Sequence, residues 1–204
     1  FLTPGGSQPT VMALASGGFL LSWSDFDNVY ARVFDASGSP VGEEFLLNES
    51  GLGNRQQPSL ASLSDGGFVA CWTDGSEPGG IKGQIFDATG QKVGGEIVVS
   101  EGSNRYSPDV AALQTGGFVV TWSGMGVSGD FVDASAQIFD AAGTKVGSGF
   151  AVHESTEHQQ FYARTAVLES GDIIVCWTDE GYTEFGESIT SIKARIFSPT
   201  GPPT

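Results

Sequence analysis

Carboxylates, two arginines and a set of aromatic residues are the groups in this chain whose types and spacing could do chemistry. Asp25 and Asp27, Asp130 and Asp133, and Asp179 fall in segments between hydrophobic runs. Clustered carboxylates on flexible loops are the oxygen donors that a hard cation such as Ca2+ takes six to eight of. Asn54-Arg55 and Asn104-Arg105 occupy matching places in two similar stretches, with Tyr106, Phe161, Tyr162, Tyr182 and Phe185 near by in the pattern. An arginine fork can hold a carboxylate or hydroxyls, and a planar aromatic ring can stack on a sugar. Asn54, Arg55, Asn104, Arg105, Tyr106, Tyr162 and Tyr182 are therefore candidate ligand-binding residues. Asp25, Asp27, Asp130, Asp133 and Asp179 are candidate Ca2+ ligands.

Two other patterns carry less. Gly124-Met125-Gly126-Val127-Ser128-Gly129 fits a dinucleotide fingerprint, but no helix follows to supply the anion-binding terminus. His153 and His158 flank a stretch that has the flavour of a zinc site, yet they are five apart and in a loop. The helical face that joins two such ligands is missing.

The elements that must hold these groups are repeated. Trp23, Trp72, Trp122 and Trp177 end the segments GGFLLSW, GGFVACW, GGFVVTW and GDIIVCW, at spacings of 49, 50 and 55. Phe34, Phe86, Phe139 and Phe197 mark a second motif, FDxxGxxVG in its cleanest form, at spacings of 52, 53 and 58. Each repeat of about 50 residues reads as four short strands, a to d, with turn signals at Asp65-Gly66-Gly67 and Asp87-Ala88-Thr89-Gly90. No window has helical period. The chain is expected to be all-β: a four-bladed β-propeller with four strands per blade. The repeats are about 9–57, 58–107, 108–161 and 162–204, all in one domain. Residues 1–8 resemble a strand d end and are expected to complete the last blade, closing the ring and removing an edge. Small residues Ala61, Ala111 and Ala166 suit the narrow axis, and the tryptophans fill the space between blades. The b–c and d–a loops share one face and vary, so binding is expected there.

The pattern GGFVVTW followed by FDxxGxxVG resembles repeats of large secreted bacterial proteins of the hemolysin (repeats-in-toxin) and adhesin-like kind. It is cleanest at Gly116–Trp122 and Phe139–Gly147; the fourth repeat departs, with Asp172 for a glycine and Ser198 for the aspartate. The resemblance implies a secreted or cell-surface module of a larger polypeptide and no particular reaction. The nonapeptide GGxGxDxUx of the Ca2+-binding β-roll is absent.

Composition limits the partners. Nine Lys+Arg stand against 24 Asp+Glu among 204 residues, a net charge of −15. Such a chain is repelled by phosphate backbones, so nucleic-acid binding is excluded as an expectation. No apolar run reaches about 18 residues, so membrane insertion is not expected either. Cys71 and Cys176 match in repeats two and four and are expected as buried free thiols, too far apart to bridge.

These readings lead to an ordering of functions. The first is a non-enzymatic extracellular binding module that recognises a glycan or a cell-surface protein through the variable loop face, with Ca2+ as its one cofactor. The alternative is a Ca2+-stabilised structural spacer of an adhesin. The third is a polysaccharide-active enzyme, which needs two carboxylates roughly 5–9.5 Å apart.

Overall fold

The computed structural model of the chain describes residues 5–15, 17–49, 53–125, 132–154, 158–183 and 185–200. It is built from fifteen β-strands, all pairings antiparallel, with no helix among the described residues. The chain divides into two compact units, Phe1–Ser103 and Asn104–Thr204.

The first unit holds two four-stranded sheets. One runs β1 (Ser7–Ala13), β2 (Phe19–Ser24), β3 (Val29–Phe34) and β4 (Pro40–Leu46). The other runs β5 (Arg55–Ser62), β6 (Phe68–Asp74), β7 (Gly80–Phe86) and β8 (Lys92–Glu101). In the second unit, β9 (Arg105–Ala112), β10 (Phe118–Met125), β11 (Val132–Phe139) and β12 (Lys145–Ala151) form a four-stranded sheet. The strands β13 (Gln159–Val167), β14 (Ile173–Tyr182) and β15 (Ser188–Phe197) form a sheet that is three-stranded among the described residues. Every sheet is a meander in which sequence neighbours pair. Each Trp-marked stretch forms a sheet of its own, but β5, β9 and β13 begin at Arg55, Arg105 and Gln159, ahead of the repeat bounds expected at 58, 108 and 162. Of the expected closing segment 1–8, Phe1 to Pro4, like Asp130, lie outside the described residues, and Ser7 and Gln8 belong instead to β1, paired with β2 of the first sheet.

Second strands carry the core. Trp72, Val69 and Ala70 on β6 and Val119 and Val120 on β10 are fully buried, so both faces of these strands are covered. Within the first unit one cluster joins Met12, Leu20 and Val29 of the first sheet to Phe68, Ala70 and Trp72 of the second. Within the second unit Val119, Ala134 and Ile138 of the third sheet join Ile173, Val175 and Trp177 of the fourth. The repeated phenylalanines stack across strands two and three: Phe68 on Phe86 at 4.5 Å and Phe118 on Phe139 at 4.9 Å. The fourth repeat has Ile173 opposite Phe197, and Phe197 packs instead on Phe150 of the preceding sheet, at 5.2 Å.

The Gly-Gly pair has a steric cause. A Cβ on Gly18, Gly67 or Gly117 would lie 2.2–2.3 Å from the carbonyl oxygen of Phe34, Phe86 or Phe139. Cys71 and Cys176 form no disulfide; Cys71 is buried, whereas Cys176 is half-buried, because β14 alternates between a covered and a partly open face.

First strands share a bulge. Gln8, Gln57, Ser107 and Tyr162 all have left-handed backbones, φ between 51° and 56°, at matching places. The register slips there in each sheet, between Ser7 and Thr10, Gln56 and Ser59, and Phe161 and Arg164, and opposite Thr121 to Ser123 in the third. A bulge re-aims the side chains at one end of a strand.

Gly117→Ala joins a backbone clash to a positive φ of 84°. It is expected to cost about 2 kcal/mol or more, read as a lower urea midpoint with unchanged slope.

Candidate functional site

In each sheet one end gathers the start of the first strand, the end of the second and the start of the third. The register aligns Arg55, Asp74 and Gly80 in the second repeat and Arg105, Gly124 and Asp133 in the third. In the fourth, Gln160, Asp179 and Ser191 align. These rows decide where charge can sit.

Asp25, Asp74 and Asp179 each follow a Trp-x pair of a second strand. The first two close local turns. The Asp25 Oδ1 accepts the amides of Asp27 and Asn28 at 2.8 and 2.7 Å. The Asp74 Oδ1 accepts the Ser76 amide at 2.9 Å and the Ser76 hydroxyl. Its Oδ2 lies 2.9 Å from Lys82 Nζ and 3.7 Å from Arg55 Nε. Burial pushes the Asp74 carboxyl up, and Lys82 and Ser76 outweigh that and hold it below the usual value. The hydrogen bond to Asp74 keeps the Lys82 ammonium above its usual value, against a smaller opposing effect of burial.

Asp179 behaves differently. The strand does not turn after it; β14 continues to Tyr182. Alternation buries Ile173, Val175, Trp177 and Asp179 in one row, so a carboxylate ends an apolar stripe. Asp179 is 3% exposed. The Oδ1 lies 2.7 Å from His158 Nδ1 and 3.0 Å from Lys193 Nζ, and the Oδ2 accepts from Gln160 Nε2 at 3.4 Å. Burial pushes its carboxyl up, but the hydrogen bonds from His158, Lys193 and Gln160 together with the Lys193 charge hold it low. The imidazole of His158 rests against Gly181, where a Cβ would come within 2.4 Å of the ring.

The same alternation on β15 brings Lys193 and Arg195 beside Trp177 and Asp179. A pocket of about 520 Å³ opens there, lined by Val152, His153, Glu154, Trp177, Asp179, Lys193 and Arg195. The Glu154 carboxylate accepts from Arg195 at 3.0 Å. His153 Nε2 lies 3.4 Å from Asp133 Oδ1. Both histidines of the chain thus face an aspartate, and two carboxylates of unequal exposure share one pocket.

The residues singled out from sequence have separate fates. Arg55 is 6% exposed, and its Nη1 donates to the Asp27 carbonyl at 3.0 Å, so its fork is spent inside the first unit. The Asn54 carbonyl accepts the Gly75 amide at 2.8 Å, and its side chain accepts from Gln56. The Asn104 carbonyl accepts the Met125 amide at 3.2 Å, and Arg105 Nη1 donates to the Met125 carbonyl. Tyr106 is half-buried, and burial, with Tyr162 near by, raises its phenol. Tyr162 and Tyr182 are 58% and 65% exposed. Of the candidate Ca2+ ligands, Asp25 and Asp27 shape a turn, and Asp133 and Asp179 each meet a histidine. Among the described residues, no three His, Cys, Asp or Glu side chains are grouped to hold a metal. Sequence reasoning missed His158 as a partner of Asp179, and with it Gln160, Lys193, Glu154 and Arg195. One signal was available: Asp74 precedes Gly-Ser, a turn, and Asp179 precedes Glu-Gly-Tyr, which continues the strand.

No protein-family model matches the chain, and no curated protein does either. Solved structures do match. An endo-arabinase from Bacteroides thetaiotaomicron aligns with TM-score 0.65 at 11% identity, over 96% of this chain and 77% of its own. An alpha-L-arabinanase from Penicillium chrysogenum, solved with arabinobiose, aligns with TM-score 0.71 at 13% identity, over 98% of this chain and 65% of its own. An alpha-L-arabinofuranosidase from Fusarium graminearum, solved with an iminosugar inhibitor, gives 0.72 at 11%, over 98% and 65%. The chain thus spans just under two thirds of the length of the latter two. The likeness establishes a propeller-like all-β fold. It also corrects the leading expectation from sequence. Several structures that share this fold across nearly the whole chain are arabinan-degrading enzymes, which favours the polysaccharide-active alternative over a non-enzymatic binding module. The expectation that the chain is no enzyme is corrected by the same finding.

The Asp179 network has a pH signature. A carboxyl held below its ordinary value of 3.8 stabilises the fold fully above that value. The contribution is lost as pH falls through the lower, folded value. Wild-type stability should therefore drop below about pH 4, and Asp179→Asn should flatten that acid limb in urea titrations. Gly181→Ala should displace the His158 ring and move the Asp179 carboxyl back toward 3.8, a shift readable by carboxyl NMR.

Proposed function

We propose that the chain is a polysaccharide-active enzyme of the glycoside-hydrolase kind, working through the Asp179 pocket of the second unit. The observation that carries this reading is a buried, ionised carboxylate on the wall of an open pocket that also presents Glu154. Breaking a glycosidic bond calls for two carboxyl groups in different roles. Asp179 is the ionised member, placed to activate water or to offset the positive charge that develops on the sugar. Lys193 and His158 fix its orientation. Glu154 is the second carboxylate, oriented by Arg195. Trp177 supplies an apolar wall on which a sugar ring can rest.

The structural neighbours support arabinose- and xylose-containing polysaccharides as first substrates, since they include an endo-arabinase, an arabinofuranosidase and a xylanase. Such a role fits a secreted or cell-surface setting within a larger polypeptide. We also read the four sheets as the blades of one propeller closed by the N-terminal strand. Two facts support this: the fourth sheet has three strands among the described residues, and Phe1-Leu2-Thr3 matches Phe45-Leu46-Leu47 in sequence.

Arabinan, arabinoxylan and xylan assayed for released reducing sugar test the reading. Hydrolysis of at least one is expected, with about 100-fold or greater loss in Asp179→Asn and a comparable loss in Glu154→Gln. Absence of release from all three, or full activity in both variants, would overturn it.

A further inference from the structure

Each first strand carries one bulge residue on a left-handed backbone, and in three of the four repeats its side chain is engaged within the protein. Gln8 Oε1 accepts the Gln57 amide at 2.8 Å and the Ser24 hydroxyl at 3.2 Å. Gln57 Oε1 accepts the Thr73 hydroxyl at 3.0 Å. Ser107 is 5% exposed. The fourth bulge residue is Tyr162, with φ of 54°. A left-handed backbone is strained for a bulky side chain, and such strain persists only where the surroundings hold it. Burial does little of that here, since Tyr162 is 58% exposed. An aromatic ring is thus kept in a strained position and turned toward water.

Its neighbours are aromatic too. The Phe161 ring lies against it, with centroids 6.1 Å apart. The Thr165 amide donates to Asp109 Oδ2 at 2.7 Å, which ties β13 to β9 and brings the half-buried Tyr106 beside Tyr162. Three rings, two of them with phenolic hydroxyls, therefore gather on neighbouring first strands of the second unit. Such a surface offers an apolar ring face and hydrogen-bonding tips together. A sugar ring is its complement, with an apolar C–H face and a rim of hydroxyls. The place on the strand fits as well. Tyr162 lies two residues along β13 from Gln160, which donates to the Asp179 carboxylate, or roughly 6–7 Å by strand rise. One polysaccharide chain can reach the ring and the carboxylate together.

We propose that Tyr162, flanked by Phe161 and Tyr106, is the stacking platform of a subsite that holds one ring of a neutral polysaccharide chain beside Asp179. The left-handed backbone at the bulge is what aims the ring outward. The choice of a polysaccharide rests on the polysaccharide-active reading; the platform itself rests on the strained, exposed ring and its aromatic neighbours.

The test is calorimetric titration of the intact chain with arabinohexaose and with xylohexaose, in an Asp179→Asn background so that hydrolysis cannot consume the ligand. Binding of at least one is expected, weakened about tenfold by Tyr162→Gly. Tyr162→Phe retains the ring and should keep most of the affinity. Glycine accepts a left-handed backbone, so Tyr162→Gly should melt no lower than its parent in circular dichroism. Should that variant fail to fold, Tyr162→Asn, which also tolerates this backbone and has no ring, carries the comparison. Binding of neither sugar, unchanged affinity in a folded variant without the ring, or equal loss in Tyr162→Phe and Tyr162→Gly overturns the proposal. Hydrolysis of the polysaccharides by wild type keeps the two readings apart. Binding that depends on the Tyr162 ring, without hydrolysis, upholds this subsite and removes the enzyme. Asp179-dependent hydrolysis with binding indifferent to the ring does the reverse.

Discussion

Burial of the second strand of each repeat is the constraint on which the rest depends. Trp72 and its neighbours on β6 are covered on both faces, as are the valines of β10. Such a strand cannot host charge along its length, because an unpaired buried charge costs several kcal/mol. Charge is admitted only past the tryptophan of that strand. There the first and third strands offer cross-strand partners, and Asp74 and Asp179 take them. The chemistry of the molecule is accordingly confined to one end of each sheet, and the variation among repeats is variation in how a carboxylate there is satisfied.

The fold was legible in the sequence because its signals are local and recur. The Trp and Phe spacings mark one sheet per repeat, and each Gly-Gly pair is forced by a carbonyl that a side chain would strike. The departure of the fourth repeat was visible at Asp172 and Ser198, and its packing does differ, with Phe197 turned to Phe150. The site was less legible. Trp72-Thr73-Asp74 and Trp177-Thr178-Asp179 are identical words, yet one aspartate closes a turn and the other lines a pocket. What separates them lies across the sheet. Lys193, His158 and Gln160 come from other strands and loops, and their approach depends on register, which a single sequence shows only indirectly.

Arg55 and Arg105 make the same point from the other side. Equal sequence context suggested equal roles. The strand opposite assigns one to an internal ion pair and leaves the other with a glycine. Repetition is a strong guide to scaffold and a poor guide to function, since duplicated positions share a backbone while their cross-strand partners drift independently.

The bulge on each first strand gives that drift room. One extra residue on one side of a ladder inverts the in–out alternation beyond it. The stretch of strand that packs in the core and the stretch that reaches the sheet end are therefore out of phase, joined by a left-handed residue such as Gln57 or Tyr162. The two halves of the strand are then read by different surroundings, and the hydrophobic pattern of the inner half no longer dictates which way the outer half points. A repeat built this way carries a fixed half and a free half on one continuous piece of backbone, and selection can rewrite the second without disturbing the first.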